Sequence, residues 1–405
     1  MRVGRSRPAP AVTWRDRCPG RPQHTAKAGA GPCAMPMRDV STFELVLVGF
    51  GHVGRRFASL LAECREQLER DDHLACRVVG VATGRHGLAI DLDGLDLGVA
   101  TDLVASGGSL ATLHDPDTGA PPADTQALIA RLADLGQGRP RIVVETTTLD
   151  VASGEPALSH VRAAIASGAH VVTANKGPAA VAYAEISAAA DAAGVRFLTE
   201  SAVLDGIPIL NLARETLPAV RIIGFRGVVN WTTNHILAAM EQGGDADEAL
   251  AAMQAEGFAE ADASLDVEGW DAAAKTAVLV NVVMGGRTTP AAVERTGIGG
   301  LTGERVRDAV RRGKRVKLVA AAARHGDTIA AAVAPVELNA TDPLAQLDGQ
   351  SNAIVLATDL LGEIVITQRD GGLTQTAYGL LADLITIRRS LSPDRPAPGT
   401  SLGRR

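Results

Sequence analysis

Short apolar runs alternate with longer amphipathic stretches over the first half of the chain, from about residue 43 to residue 200. The run from Phe43 to Val48 predicts a buried strand, and the residues from Val53 onward predict a helix. Three more pairs follow, in which helical DTQALIARLADLG, EPALSHVRAAIASG and AAVAYAEISAAADAAG precede the strands RIVVETT, HVVTAN and VRFLTE. This alternation predicts an α/β fold with a Rossmann-type, doubly wound parallel sheet that has helices on both faces.

The loop between the first strand and the first helix has the glycine spacing Gly49-x-Gly51-x-x-Gly54. The first glycine permits a tight turn, the second lets a pyrophosphate approach the backbone, and the third lets the helix pack on the strand. A further strand, CRVVGVAT, follows the helix, as a dinucleotide-binding unit requires. We therefore expect a dinucleotide site here; the alternative is a glycine-rich turn that binds no ligand.

The end of that second strand bears on the choice of cofactor. An NAD-specific site usually offers Asp or Glu to the adenosine ribose at this point. This chain has Thr83-Gly84-Arg85-His86, and its next carboxylate is Asp91. Arg85 could meet a 2′-phosphate, which slightly favours NADP over NAD; the alternative is an exposed loop arginine.

Two polar stretches follow later strands, ETTT (Glu145 to Thr148) and TANKG (Thr173 to Gly177). Ligands of doubly wound folds bind beyond the carboxyl ends of the strands. Lys176 is therefore expected near the nicotinamide, unless it is a surface lysine at the start of a helix. The residues expected to contact the cofactor here are Thr146, Thr147, Asn175 and Lys176.

After Glu200 the pattern changes. VRIIGFRGVV predicts a strand and HILAAMEQG a helix, and the polar turn from Asn230 to Asn234 separates them. Such hydroxyls and amides suit either helix capping or a polar ligand. Asn230 and Thr232 are therefore candidate substrate contacts.

A lysine interrupts the apolar helix that is predicted from Ala272 onward. A helix that is apolar on all faces is usually buried, and burying an ammonium group is costly unless it is paired. Six carboxylates lie just before Lys275, between Glu256 and Asp271. Carboxylates beside a nicotinamide suit a substrate with an ammonium group, and a lysine there can relay a proton to or from an alcohol oxygen. The alternatives are a solvated acidic surface and a plain i,i+4 ion pair between Asp271 and Lys275.

Composition narrows the class of protein. Of 405 residues only 3% are aromatic, and the net charge is −6, so neither base stacking nor general polyanion binding is expected. No apolar run approaches the ~20 residues of a membrane span. The four cysteines form no CxxC pair, which fits a reduced, cytoplasmic setting. We expect a small-molecule substrate, with neither nucleic acid nor membrane as a partner.

These patterns divide the chain into five parts. Residues 1–40 carry eight Lys or Arg against two Asp and are expected to be a disordered basic tail, or to precede a true start at Met35 or Met37. Residues 41–200 are the predicted NAD(P)-binding domain, and residues 201–350 a second, α+β domain for substrate binding and dimerisation. Residues 351–390 are expected to add two dimerisation strands and a helix that returns to the nucleotide domain. Residues 391–405 are expected to be disordered.

Four motifs together resemble the homoserine dehydrogenase family. They are GFGHVG, VVTANKGPAA, VNWTTNHIL and FAEADASLDVEGWDAAAKTAVL, and the resemblance extends from about Phe43 to Ile387. It is to the short form of the family, which has no regulatory ACT domain. It implies NAD(P)-dependent interconversion of L-homoserine and L-aspartate 4-semialdehyde, in the biosynthesis of threonine, methionine and isoleucine, by a homodimer.

Carried over motif by motif, the resemblance makes Lys275 and Lys176 the proton-handling pair at the substrate oxygen, and Asp271 the partner that orients Lys275 and the substrate. Glu260 and Asp266 become ligands for the ammonium or hydroxyl end of the amino acid. The residues that it implies around the cofactor are Gly49, Gly51, His52, Val53, Gly54, Gly372 and Thr376. It also implies a monovalent cation, Na⁺ or K⁺, bound through main-chain carbonyls in ESAVLDGIP by Glu200, Val203, Asp205 and Ile207.

The chain departs from the family pattern at several positions. Trp231 replaces a usual glycine, His235 replaces a usual tyrosine, and Leu204-Asp205 stands where many members have small residues. The C-terminal segment TQRDGGLTQTAYGLLADL keeps Gly372 but lacks the family's earlier glycines. Two alternatives therefore remain: a paralogous dehydrogenase for another small polar alcohol, and a catalytically silent dinucleotide-binding protein, against which the presence of both lysines argues.

Overall fold

Two six-stranded sheets organise the residues that the computed structural model describes, which are 40–134, 138–255, 263–349, 351–369 and 371–391. These residues belong to one compact unit. Both predicted tails lie outside the described residues, apart from Val40 and Leu391. Among the helices described, none combines the length and the apolar character needed to cross a bilayer.

The first sheet has the predicted doubly wound form, with strand order β3-β2-β1-β4-β5-β6. Its pairs are parallel except β2–β3, which is antiparallel. The edge strand β3 was not predicted, because it is only four residues long and follows a tight turn. The strands are β1 Ser41–Val48, β2 Leu74–Thr83, β3 Gly87–Ile90, β4 Arg141–Glu145, β5 His170–Thr173 and β6 Phe197–Leu198. The helices are α1 His52–Glu63, α2 Arg65–Asp71, α3 Leu97–Ala105, α4 Thr125–Arg131, α5 Ala157–Ala166 and α6 Lys176–Ala193.

The second sheet has the order β12-β11-β7-β9-β10-β8 and is antiparallel except for the β8–β10 pair. Its strands are β7 Ile222–Val228, β8 Glu294–Arg295, β9 Lys314–His325, β10 Thr328–Asn339, β11 Asn352–Thr358 and β12 Glu363–Gln368. The helices that follow β6 along the chain are α7 Ser201–Leu204, α8 Ile209–Asn211, α9 Trp231–Glu241, α10 Ala246–Ala255, α11 Ser264–Val267, α12 Trp270–Val283, α13 Gly303–Arg311 and α14 Leu373–Ser390. The last of these, α14, packs on α1 and β5 of the first sheet. The prediction of a second α+β layer is confirmed.

Two helices connect the sheets to the site. Helix α12 is buried along most of its length, as its all-round apolar sequence predicts, and it packs against α6. Helix α14 packs against α1, where Arg56 Nε donates to Thr374 Oγ1 at 3.0 Å. The starts of α6 and α12 therefore face each other, and the start of α14 lies beside the first turns of α1.

Alanine at position 49 should destabilise the fold, whereas alanine at position 51 should not. Gly49 has φ +91°, and a Cβ there would lie 2.5 Å from the Thr146 carbonyl carbon. Gly49→Ala should therefore lower the free energy of unfolding by roughly 1–3 kcal/mol. Gly51→Ala is the matched control, because φ is −77° and a Cβ would meet no described heavy atom within 4 Å. Urea unfolding measures both, and equal losses would contradict the argument.

Candidate active site

The glycine loop leaves the start of α1 open to an anion. Thr146 Oγ1 donates to the Gly49 carbonyl at 2.8 Å, and this contact fixes the turn. Gly54 lies so close to the turn that a Cβ would be 2.6 Å from the Gly49 oxygen. Because Gly51 at the N-cap has no side chain, the first N–H groups of α1 are free to bind phosphate oxygens. His52 is exposed and Val53 half-buried in this first turn.

A buried carboxylate joins the ends of β4 and β5. Glu145 is fully buried and accepts hydrogen bonds from the Thr147 N–H at 2.9 Å and from Thr173 Oγ1 at 2.8 Å. Asn175 donates to the Thr147 carbonyl at 3.1 Å and accepts from the N–H of Gly177 at 2.9 Å, which caps α6. The two predicted cofactor loops thus form one network. Sequence reasoning assigned no role to Glu145 or Thr173, although a polar residue that ends an apolar strand was a signal.

Lys176 and Lys275 converge on one carboxylate. Lys176 begins α6, and its Nζ lies 3.3 Å from Asp271 Oδ1. Lys275 lies one turn along α12 from Asp271, with Nζ 3.1 Å from Oδ2, and it also donates to the Val229 carbonyl at 2.7 Å. The two lysine side chains are 19% and 13% exposed. The i,i+4 pair is therefore present, but a second ammonium group from another element makes it more than a helix-surface ion pair.

The Asn230 amide holds two carboxylates together. Its Nδ2 donates to Asp266 Oδ1 at 2.6 Å and to Asp271 Oδ2 at 2.9 Å, while its oxygen caps α9 by accepting from the Thr233 N–H. The Thr232 side chain also hydrogen-bonds Asp266. The structure thus brings these predicted substrate contacts to the lysine pair. Glu260 lies outside the described residues.

Burial and charge compete in setting the proton affinities of this cluster. Burial alone would raise the pKa of Asp271, but the ammonium groups of Lys275 and Lys176 outweigh it and hold that pKa well below its usual range. Burial would lower the pKa of Lys275, but the carboxylates of Asp271 and Asp205 outweigh it and raise that pKa above the usual value. Burial and the charge of Asp271 raise the pKa of Asp266. Lys275 is therefore an ammonium ion at neutral pH.

The stretch predicted to bind a cation is already rich in internal bonds. Glu200 is buried, and its oxygens accept from the N–H groups of Leu210 and Asn211; burial and the nearby Asp383 raise its pKa to about 8. The Ile207 carbonyl accepts from the Ile209 N–H, and Val203 is buried. Within the described part of the chain no cluster of three or more His, Cys, Asp or Glu could hold a metal. The cation, which would use carbonyl oxygens, stays a prediction.

Two cofactor candidates remain, Arg85 after β2 and Thr376 in α14. Arg85 is exposed in the turn between β2 and β3, and it has no hydrogen bond or ion pair with the described residues. Thr376 lies in the first turn of α14, one turn after Gly372, and its hydroxyl donates to Asp205 at 3.0 Å. The residues that replace family-typical ones, Trp231 and His235, are both half-buried in α9.

A cavity of about 530 Å³ opens beside the lysine–carboxylate cluster. Its walls come from the segment after ETTT, from α6, and from residues next to Asp266 and Asp271. They are Leu149, Asp150, Val151, Ala152, Val181, Leu265, Trp270, Thr289, Pro290 and Ala291. These walls include neither the glycine loop nor the side chains of the lysine–carboxylate cluster, so the cavity is a neighbour of that cluster and is not assigned to a ligand.

Fold and site together define an oxidoreductase that uses a nicotinamide dinucleotide. Two family models match the chain: homoserine dehydrogenase, NAD binding domain, over residues 49–200, and homoserine dehydrogenase over residues 208–385. The chain belongs to the homoserine dehydrogenase family.

Relatives and solved structures agree with this assignment. The chain is 37% identical over 352 residues to an NAD(+)-dependent homoserine dehydrogenase of Pseudomonas canavaninivorans. The aligned residues cover 87% of this chain and 97% of that protein. It is 36% identical over 348 residues to a homoserine dehydrogenase of Methanocaldococcus jannaschii, with 86% and 99% covered. A crystal structure of a homoserine dehydrogenase from Thiobacillus denitrificans matches with a TM-score of 0.74 and 31% identity, over 90% of this chain and 78% of that one.

Asp271→Asn should leave two ammonium groups without their counter-charge and lower the free energy of unfolding at pH 7 by about 3 kcal/mol. The folded-state pKa of Asp271 is depressed, so its contribution is present above the unfolded pKa of about 3.9 and is lost as the pH falls below that value. The difference between wild type and variant should therefore be equal at pH 8 and pH 5.5 and smaller at pH 3, as measured by urea unfolding.

Asp308→Asn is the matched control for this prediction. Asp308 also forms an i,i+4 ion pair, with Arg312 at 2.9 Å, but on an exposed helix surface. Its loss should change stability far less, because exposed pairs are screened by water and salt. Equal effects of the two substitutions would show that the Asp271 cluster is not a buried charge centre.

Proposed function

We propose that this chain interconverts L-homoserine and L-aspartate 4-semialdehyde with NAD(P), in the biosynthesis of threonine, methionine and isoleucine. The observation that carries the proposal is the placement of two lysine ammonium groups, at 3.3 and 3.1 Å, on one carboxylate beyond the carboxyl ends of the nucleotide-binding strands. A bound nicotinamide supplies the hydride for reduction or accepts it in oxidation.

In the direction of reduction, Lys275 donates a proton to the aldehyde oxygen while the aldehyde carbon receives the hydride, and the alcohol forms. In oxidation the neutral amine takes the hydroxyl proton back. The raised pKa of Lys275 favours the proton-donating form at neutral pH. Lys176 shares this task from the cofactor side, and Asp271 orients both amines. This division of roles follows general acid–base catalysis by a positioned group.

The substrate's ammonium group is proposed to bind at the carboxylate side of the cluster. Asp266 is held by Asn230 and Thr232, and Glu260 is the further ligand that the sequence motif implies. Residues 41–200 would then bind the dinucleotide, and residues 201–350 would bind the substrate.

The assembly that we propose is a homodimer formed through one face of the second sheet. Ala321 and Ala332 pair across β9 and β10 on this face, and Val336 and Val365 on the same face are 39% and 44% exposed. Leu344 and Leu347 pack on Val319 and Val355 of this face, and the exposed valines beside them suit contact with a second copy of the sheet. A cytoplasmic location is supported by the free thiols of Cys64 and Cys76.

NADP is the cofactor that we propose as preferred. The support is Arg85, exposed and without a partner among the described residues, at the point where an NAD-specific site usually has a carboxylate. The relative from Pseudomonas canavaninivorans is named NAD(+)-dependent, so both cofactors belong in the assay. The second candidate function is a dehydrogenase for another small polar alcohol, which Trp231 favours, since it replaces a usual glycine next to Asn230, a proposed substrate contact.

Purified protein supplied with L-homoserine and NADP⁺ should produce NADPH, followed by its absorbance. Lys275→Ala should lower kcat by roughly 10²-fold or more, the usual share of general acid–base catalysis, with the NADPH dissociation constant unchanged. Full turnover by this variant would remove Lys275 from the mechanism. A wild-type protein that binds NADPH but leaves homoserine unchanged would favour the second candidate.

Arg85→Ala should weaken NADPH binding roughly tenfold, the usual effect of losing a hydrogen bond to a charged group. NADH has no 2′-phosphate, so its dissociation constant should stay the same and serves as the internal control. Fluorescence titration with both nucleotides measures the two constants. An equal loss for both would exclude the 2′-phosphate as the partner of Arg85.

A further inference from the structure

A second buried lysine lies outside the cluster described above. Lys317 on β9 is fully buried, and its Nζ donates to Asn234 Oδ1 at 2.7 Å and to the Leu347 carbonyl at 2.5 Å. Burial, with a smaller contribution from Arg315, lowers its pKa to about 8. A buried ammonium group is costly, and no step of the proposed reaction uses it.

Lys317 bonds neutral acceptors although carboxylates are near. The neighbouring Arg315 engages them: its Nη2 lies 2.7 Å from Asp348 and 2.5 Å from Glu241. In the described part of the chain, no carboxylate lies within ion-pair distance of Lys317. The Lys317 ammonium group donates charge-assisted hydrogen bonds to an amide oxygen and a carbonyl oxygen. Such bonds favour one orientation of the two acceptor groups.

The Asn234 amide is the group that Lys317 orients. With its oxygen turned to Lys317, its Nδ2 donates to the Gly349 carbonyl at 3.1 Å and to the Ser351 carbonyl at 3.3 Å. Ser351 Oγ in turn donates to the Arg369 carbonyl at 3.1 Å. Arg369 lies four residues before the start of α14 at Leu373.

Asn234 also lies one turn after Asn230, the residue that holds the two carboxylates of the candidate site. Its N–H donates to the Asn230 carbonyl at 3.3 Å, in the first turn of α9. Asn230 is the residue whose amide binds Asp266 and Asp271. Hydrogen bonds therefore connect Lys317, through the side chain and backbone of Asn234, to the turn that carries Asn230. Through Ser351 they also connect it to Arg369, before α14.

We propose that Lys317 is a positioning residue, which acts through Asn234 to fix the first turn of α9, and with it Asn230, against the segment that leads into α14. The proposal rests on the proposed function, because it assigns Lys317 to the alignment of that same site. It predicts that the loss of Lys317 affects substrate use rather than nucleotide affinity.

The first test is Lys317→Met, which keeps the length of the side chain and removes its charge. We expect kcat/KM for L-homoserine to fall roughly 10- to 100-fold, as for a small misplacement of a catalytic group, with a raised KM and an NADPH dissociation constant within about twofold of wild type. Lys314→Met is the matched control: Lys314 lies on the same strand, is 38% exposed and makes only a loose pair with Glu337 at 3.7 Å. It should retain full activity.

A double-mutant cycle separates positioning from general destabilisation. If Lys317 acts through Asn234, Lys317→Met combined with Asn234→Ala should lower kcat/KM no further than the stronger single variant does, since both break one path. Additive losses in kcat/KM, an equal loss of NADPH affinity, or full activity of Lys317→Met would overturn the proposal.

Asn234→Asp keeps the proposal testable if Lys317→Met does not fold. The aspartate retains an acceptor for Lys317 but loses the donors to Gly349 and Ser351, so it should also lower kcat/KM. Full activity of this variant would overturn the proposal. A wild-type protein that is inactive on homoserine would instead contradict the proposed function, so the two failures are distinct.

Discussion

The attraction between Asp271 and two ammonium groups is the interaction on which the site depends. Lys176 and Lys275 come from helices that start at different sheets, and at 3.3 and 3.1 Å from one carboxylate they would repel each other without it. Holding that carboxylate in place requires the Asn230 amide, and holding Asn230 requires the first turn of α9. The packing of α6 on α12 brings Lys176 to Asp271, and the attraction between these two charges in turn stabilises that packing.

The parts of the structure that were predicted from sequence depend on local signals. The strand, glycine loop and helix from Phe43 onward follow from the apolar pattern and from the steric freedom of Gly49 and Gly54. The burial of Lys275 followed from the apolar faces of its own helix. The motifs indicated that Lys176 and Lys275 work together and that Asp271 orients Lys275, but only the structure shows that Lys176 contacts the same carboxylate and gives the distances.

The parts that were missed depend on contacts between distant segments. Glu145 and Lys317 are buried polar residues beside apolar runs of their strands, and the sequence does not tell which groups satisfy them. The paired strands β9 and β10 are rich in alanine from residue 320 to residue 334, and alanine favours helix when nothing else decides. They form strands by pairing with each other along their whole lengths and with β7 and β8 at fewer positions, and no local pattern records this pairing.

Lys275 and Lys317 are both largely buried, but their surroundings suit them to different roles. Carboxylates outweigh burial and raise the pKa of Lys275, so its charged form is stabilised by Asp271 beside it. Lys317 has neutral partners, and burial lowers its pKa. A substrate oxygen could replace the Val229 carbonyl as a partner of Lys275 without stranding a charge, because Asp271 remains. Lys317 has no carboxylate within ion-pair distance among the described residues. If another group displaced Asn234, the buried ammonium group would lose a hydrogen-bond acceptor. The hydrogen bonds of Lys317 therefore suit a group that stays in place.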